Sequence, residues 1–191
     1  MSEPLISVIV ATYNCGTVLQ RCLDSFSAQV YARKELIVID GASTDNTREL
    51  IEKNSGRIAY WESEADNGIY HAWNKALKHA KGDWIYFMGG DDRFLSPDVL
   101  KKMAVMLDRA FPEYRVVYGS VNVVRNDGFV IMTAGGAWDR KKFLQVMTLP
   151  HQGVFHHRSL FEIHGVFDES LRIAGDYEML LRELKDRPPL F

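Results

Sequence analysis

Little in these 191 residues leans to one side. Cysteine is scarce: Cys15 and Cys22 are the only two. Their spacing is neither a metal knuckle nor a redox pair, so they read as buried thiols of a reducing compartment. Charge of one sign is missing as well. Lys and Arg number 23 against 25 Asp and Glu, a formal net charge of −2, without the basic stripe of a nucleic-acid binder. No apolar run approaches the ~20 residues that span a bilayer. The start, Met1-Ser2-Glu3-Pro4, lacks the basic and apolar segments of a signal peptide. These absences predict a cytoplasmic chain. Low-complexity tracts, internal repeats and linkers are absent too. Hydrophobic residues, at 47%, are not in short supply, so the chain can bury a full core and reads as a single domain over 1–191.

What is present is an alternation of buried strands and amphipathic helices. Residues 5–10 (LISVIV) form the continuous β-rich run expected of a strand buried on both faces. Leu19, Cys22, Leu23, Phe26 and Val30 then recur at helical spacing. Residues 36–39 predict a second strand ending at Asp40-Gly41. Ser43 or Thr44 is a cap for the helix after it, with Asp45 in the first turn. A third strand is expected at 58–61, then a helix carrying Ile69, Ala72, Trp73, Ala76, Leu77 and Ala80 on one face. A fourth strand at 84–88 runs into Gly89-Gly90-Asp91-Asp92, and Ser96-Pro97-Asp98 opens another helix. Four such units predict an α/β fold with a largely parallel sheet. The second half is less regular. Residues 116–124 and 129–133 read as a hairpin around Asn126-Asp127-Gly128, with short helices at 139–147 and 158–164 and a clearer one at 176–186. Pro188-Pro189-Leu190-Phe191 reads as the start of a further strand, which predicts a truncated chain.

Ligands of open parallel sheets bind beyond the carboxyl ends of the strands. Those ends here carry Thr12-Tyr13-Asn14, Asp40, Glu64-Ala65-Asp66-Asn67 and Asp91-Asp92. Any one cluster is ordinary turn chemistry; four on one edge exceed what loops require. Neither G-x-G-x-x-G nor a Walker loop follows the first strand, which disfavours the usual dinucleotide and ATP modes. Acidic ends repel a diphosphate unless a divalent cation bridges carboxylate and phosphate oxygens.

Residues 6–14 (ISVIVATYN), 39–45 (IDGASTD), 63–70 (SEADNGIY), Asn74-Lys75, 82–85 (GDWI) and Gly90-Asp91-Asp92 resemble, in order, the motifs of family 2 glycosyltransferases. The resemblance is to bacterial members that build capsule, colanic acid or O-antigen, and it runs from residue 5 to about 185. It implies a GT-A fold, with a Rossmann-like, mainly parallel central sheet flanked by helices and a smaller mixed β/α acceptor-side part. Residues 1–95 would be the nucleotide-sugar half and 96–191 the acceptor-side half. The resemblance further implies that Thr12, Tyr13 and Asn14 line the nucleotide pocket and that Asp40 contacts the base. Glu64, Asp66 and Asn67 would border the donor, joined by Asn74 and Lys75, and Asp91 would approach the ribose or donor sugar. Asp92 would hold Mn²⁺ or Mg²⁺. Asp176 matches the family's general base, although Gly175 stands where the family usually has Glu. His151-Gln152 resembles a His-Gln pair near the acceptor.

The implied activity is inverting transfer from a nucleoside-diphosphate sugar to a saccharide or lipid-linked acceptor. An acceptor on Asp40 favours UDP or dTDP as the nucleotide, with GDP as runner-up. A lipid-linked acceptor would put the chain at the cytoplasmic face of the inner membrane, and a homodimer is compatible with the sequence. Two alternatives stand beside this reading, a non-catalytic nucleotide-sugar-binding module and a sugar-nucleotide pyrophosphorylase. The latter wants a Gly-rich basic loop where Thr12-Tyr13-Asn14 stands. Trp73, Trp84 and Trp138 read as core or pocket-wall aromatics. His151, His156 and His157 resemble a zinc cluster only until strand alternation points His156 and His157 to opposite faces. Lys75, Lys78 and Lys81 read as a solvated face, with Lys75 on the diphosphate as the alternative.

Overall fold

The computed structural model describes residues 3–125 and 127–191; Met1, Ser2 and the Asn126 of the anticipated turn lie outside them. The anticipated strands become β1 (Ile6–Thr12), β2 (Lys34–Asp40), β3 (Tyr60–Ser63) and β4 (Trp84–Gly89). These pair in parallel in the order β3-β2-β1-β4. β5 (Val116–Tyr118) and β8 (Val154–His157) complete a six-stranded sheet, ordered β3-β2-β1-β4-β8-β5. β8 is antiparallel to both of its neighbours. β6 (Val121–Val124) and β7 (Val130–Ala134) form a separate two-stranded ribbon.

Period-two alternation divides the core between the faces of the sheet. Val8, Val10, Leu36, Val38, Trp84 and Tyr86 point to one face, against α1 (Leu19–Ser27), α2 (Thr47–Asn54) and α4 (Val99–Ala110). Ile9, Ile37, Ile39, Ile85 and Phe87 point to the other, against α3 (Ile69–Leu77), α6 (Ser159–His164) and α7 (Gly175–Leu184). α5 is a single turn, Arg140–Phe143. Each fully buried aliphatic or aromatic side chain contributes about 1.5–3 kcal/mol, and both faces are lined with them. The result is a three-layer α/β/α sandwich.

Several boundaries differ from the sequence reading. α1 stops at Ser27, and Val30 is 60% exposed, its N–H bonded to the Pro97 carbonyl instead. α2 opens at Thr47 rather than after Ser43. Asp45, ahead of the helix, accepts from the Thr47 N–H and hydroxyl, while Ser43 turns toward the strand ends. α4 begins after Pro97, at Val99. β3 lies two residues later than its apolar residues suggested. The run 116–124 divides between β5, in the main sheet, and β6, in the ribbon. The division falls where the Gly119 N–H donates to the Gly153 carbonyl and a Cβ on Gly153 would meet the Gly119 oxygen at 2.5 Å. The helix expected at 139–147 is reduced to α5, capped by Asp139 accepting from the Lys142 N–H. Leu190 bridges to Val117 alongside β5, where a strand was anticipated. Among the described residues no helix is long and apolar enough to cross a membrane.

Candidate active site at the strand ends

The chain runs from β1 to β2 to β3 on one side of β1, then returns to place β4 on the other. The switch in direction opens a crevice beyond the carboxyl ends of β1 and β4. Register brings the key ends level: Thr12 pairs with Asp40, Asp40 with Ser63, and Ala11 with Gly89. Thr12, Tyr13, Asn14, Asp40, Glu64, Asp66, Asn67, Asp91 and Asp92 therefore follow neighbouring strand ends on one edge, as anticipated.

Asp40 is engaged within the protein itself. Its side chain is fully buried. Oδ1 accepts from the Thr12 hydroxyl at 3.0 Å and from the Ser43 hydroxyl; Oδ2 accepts from the Ser43 N–H at 2.9 Å and the Ser63 hydroxyl at 2.7 Å. A carboxylate has about four acceptor positions, and the protein fills them. These bonds clamp β1, the loop after β2 and the end of β3 together through Asp40. Asn14 extends that clamp. At φ 50° it donates its N–H to Ser43 Oγ and accepts from the Thr44 N–H. Tyr13, between these anchored residues, is 64% exposed beside the crevice. Asp66 accepts from the Gly68 N–H, and its Oδ2 lies 2.8 Å from where a Cβ on Gly41 would stand. Only glycine admits that approach.

Asn74 and Lys75 both have partners within the protein. Asn74 is buried and uses its amide on the 167–169 segment. It donates to the Phe167 carbonyl and to Glu169, and accepts from the Phe167 N–H. Lys75 is not on a solvated face; it is paired with Glu62, both side chains largely buried.

Asp91 and Asp92 fold back over Gly89. Their carboxylate oxygens lie 2.8 and 3.0 Å from where a Cβ there would be, and Asp92 accepts from the Gly89 N–H at 2.9 Å. Burial, aided by the charge of Asp91, pushes the Asp92 carboxyl up. Burial, then the charges of Asp92 and Asp91, push the nearby Cys22 thiol up to about 12. Among the described residues no Lys, Arg or His is ion-paired with either carboxylate, and no group of three or more His, Cys, Asp or Glu surrounds a point. Uncompensated negative potential with few protein oxygens suits a cation that takes its remaining ligands from phosphate and water. The donor set therefore fits a divalent ion.

Beside Gly89 opens a pocket of about 410 Å³. Ile69, Trp73, Phe87 and Met147 line its apolar wall, and Tyr70, His151, Gln152 and Asp176 supply its polar groups. His151, stacked on Trp73 at 4.9 Å, is buried deeply enough that its pKa falls to about 3, so it is neutral. Asp176 stands in the first turn of α7, where the helix dipole favours a carboxylate. Tyr70 donates to Asp176 Oδ1 at 3.2 Å and accepts from the Gly175 N–H at 2.8 Å. The sequence quoted Tyr70 inside a motif and gave it no role; its partners lie 105 and 106 positions away. In sequence Ser43, three positions from Asp40, reads as a helix cap, and Ser63, 23 positions away, carries no role.

Fold and site together define a GT-A protein, an α/β sandwich with its crevice at the acidic strand ends. The model of glycosyl transferase family 2 matches residues 7–163, and the chain belongs to that family of glycosyltransferases. A "PGL/p-HBAD biosynthesis glycosyltransferase" of Mycobacterium bovis is 32% identical over 185 residues, covering 95% of this chain and 70% of the relative. TarS of S. aureus, solved in complex with UDP-GlcNAc, superposes with a TM-score of 0.69 at 22% identity over 93% of this chain and 52% of that one. A mannosyltransferase from Pyrobaculum calidifontis, in complex with GDP-Man and Mn²⁺, gives 0.73 at 23% identity over 99% and 56%. The chain thus spans about half the length of these two solved chains.

Proposed function

We propose that the chain is a divalent-metal-dependent, inverting glycosyltransferase of cell-surface glycan synthesis. Its donor would be a nucleoside-diphosphate sugar and its acceptor a saccharide or lipid-linked saccharide. The observation that carries this reading is the pocket joining Gly89, at the root of the Asp91–Asp92 pair, to Asp176. One group suits the leaving diphosphate and the other the incoming hydroxyl. The mycobacterial relative's biosynthetic name and the neighbours' nucleotide sugars and Mn²⁺ support the same reading.

The donor's nucleotide would lie along Thr12–Asn14 and the loop of Glu64, Asp66 and Asn67. Asp92, beside Asp91, would hold Mn²⁺ or Mg²⁺, which when bound neutralises the diphosphate charge. The sugar would enter the pocket against Trp73 and Met88. Asp176 takes the proton of the acceptor hydroxyl as its oxygen bonds to the anomeric carbon from the face opposite the diphosphate. The anomeric C–O bond to the diphosphate breaks with its electron pair, through a state of oxocarbenium character. One displacement inverts the centre. Neutral His151 and the Gln152 side would orient the acceptor without adding charge.

Calorimetry of UDP, dTDP and GDP sugars with Mn²⁺ and with EDTA tests the donor side. Binding is expected to be much tighter with metal, and Asp92→Asn to abolish the difference; equal affinity under both conditions would reject the metal reading. Asp176→Asn preserves any helix-capping role, because Asn caps about as well as Asp. Turnover is expected to fall about 10²–10⁴-fold with donor binding intact; near-parental turnover would remove Asp176 from catalysis.

A further inference from the structure

Gly175 has no backbone reason to be glycine, since it is not among the residues at positive φ. Its reason is a neighbour. A Cβ there would meet the Tyr70 ring at 2.8–3.0 Å, through Cε2, Cζ and Cδ2. The phenol therefore occupies the space that a side chain at position 175 would fill, next to the carboxylate at 176. Tyr70 is 6% exposed and fixed by Trp73, edge-on at 5.4 Å, and Phe167, stacked at 5.8 Å. Its hydroxyl oxygen accepts the Gly175 N–H, one of the unpaired donors at the start of α7. That leaves its single proton for Asp176 Oδ1. Burial, then the charge of Asp176, push the phenol up, which keeps that proton in place.

We propose that Tyr70 is the positioning residue of Asp176. Its hydroxyl, on the ring that fills the space beside Gly175, holds Oδ1 and leaves Oδ2 for the acceptor. Tyr70 is the second residue of α3, which opens directly after the Glu64–Gly68 loop, so the donor-side loop and the base are joined through one phenol. The assignment rests on the reading of Asp176 as the base, and the test separates the two.

Tyr70→Phe keeps the ring and removes the hydroxyl. The probe is whichever of UDP-glucose, UDP-GlcNAc, dTDP-glucose or GDP-mannose binds with Mn²⁺. Release of nucleoside diphosphate is measured with p-nitrophenyl glycosides and with water as acceptors, since water must lose a proton to the same carboxylate. Turnover is expected to fall about 10–100-fold, as a displaced catalytic group does, with the donor KM nearly unchanged. Tyr70→Phe/Asp176→Asn is expected to be no slower than Asp176→Asn, because the two act as one unit. A near-parental Tyr70→Phe beside a crippled Asp176→Asn overturns the positioning role and spares the base; additive losses in the double variant do the same. A near-parental Asp176→Asn removes both. If Tyr70→Phe melts below the assay temperature, Gly175→Ala perturbs the same contact from the helix side. The same non-additive loss is expected of it, and parental activity would overturn the inference.

Discussion

His151 and His156 lie with ring centroids 5.2 Å apart beneath the pocket, both at least nine-tenths buried. Burial lowers both pKa values, His151 to about 3 and His156 well below its ordinary 6.5. An unfolded chain takes up these protons below about pH 6.5, whereas the folded one does not. Each histidine should therefore remove about 1.4 kcal/mol of stability per pH unit as pH falls below 6.5, down to the folded value. Urea melts at several pH values should show that slope. His156→Phe, which sits among Phe87 and Phe161, should lessen it; an unaltered slope would locate the sensitivity elsewhere. At this scale the sequence marks chemical character but not partners. Asp40 is legible as a strand-end acid. Its saturation is not, because Ser63 joins it from 23 positions downstream.

Helix α3 shows how an element serves two ends at once. Tyr70 in its first turn reaches α7, and Asn74 one turn later fastens the segment at Phe167 and Glu169. Asn74→Ala leaves the Phe167 N–H and carbonyl without this partner, at a cost of about 1–3 kcal/mol for a buried unpaired group. Chemical unfolding should register that loss while donor affinity stays put. Lost donor affinity at unchanged stability would return Asn74 to the binding site. Period and propensity revealed α3, α4 and the strands β1, β2 and β4, each of which buries a face of its own sequence. They did not reveal where β5 gives way to β6. Val116, Val117 and Val121 look alike in sequence, and the break is imposed by Gly153 crossing close to Gly119. The helix at 139–147 failed similarly, as its pattern outlasts the single turn that Asp139 caps.

Across the whole molecule, the parallel half was the more legible because β1, β2 and β4 are buried on both faces and so are written as largely continuous apolar runs. The second half of the chain is held by contacts between distant short elements, and its sequence carries a weaker period. The order of the sheet adds something about how such a chain is made. β8, drawn from residues 154–157, is wedged between β4 and β5. As the chain emerges from a ribosome, β1 to β4 can assemble while the outer side of β4 still shows Trp84, Ile85 and Tyr86 with unpaired backbone groups. An open apolar edge of this kind is sticky. It closes only when a segment about 65 positions later arrives, a long loop whose closure is slow. The strand that completes the sheet also follows the His151–Gly153 turn directly. The seam that ends this vulnerable interval is therefore the one that finishes the pocket.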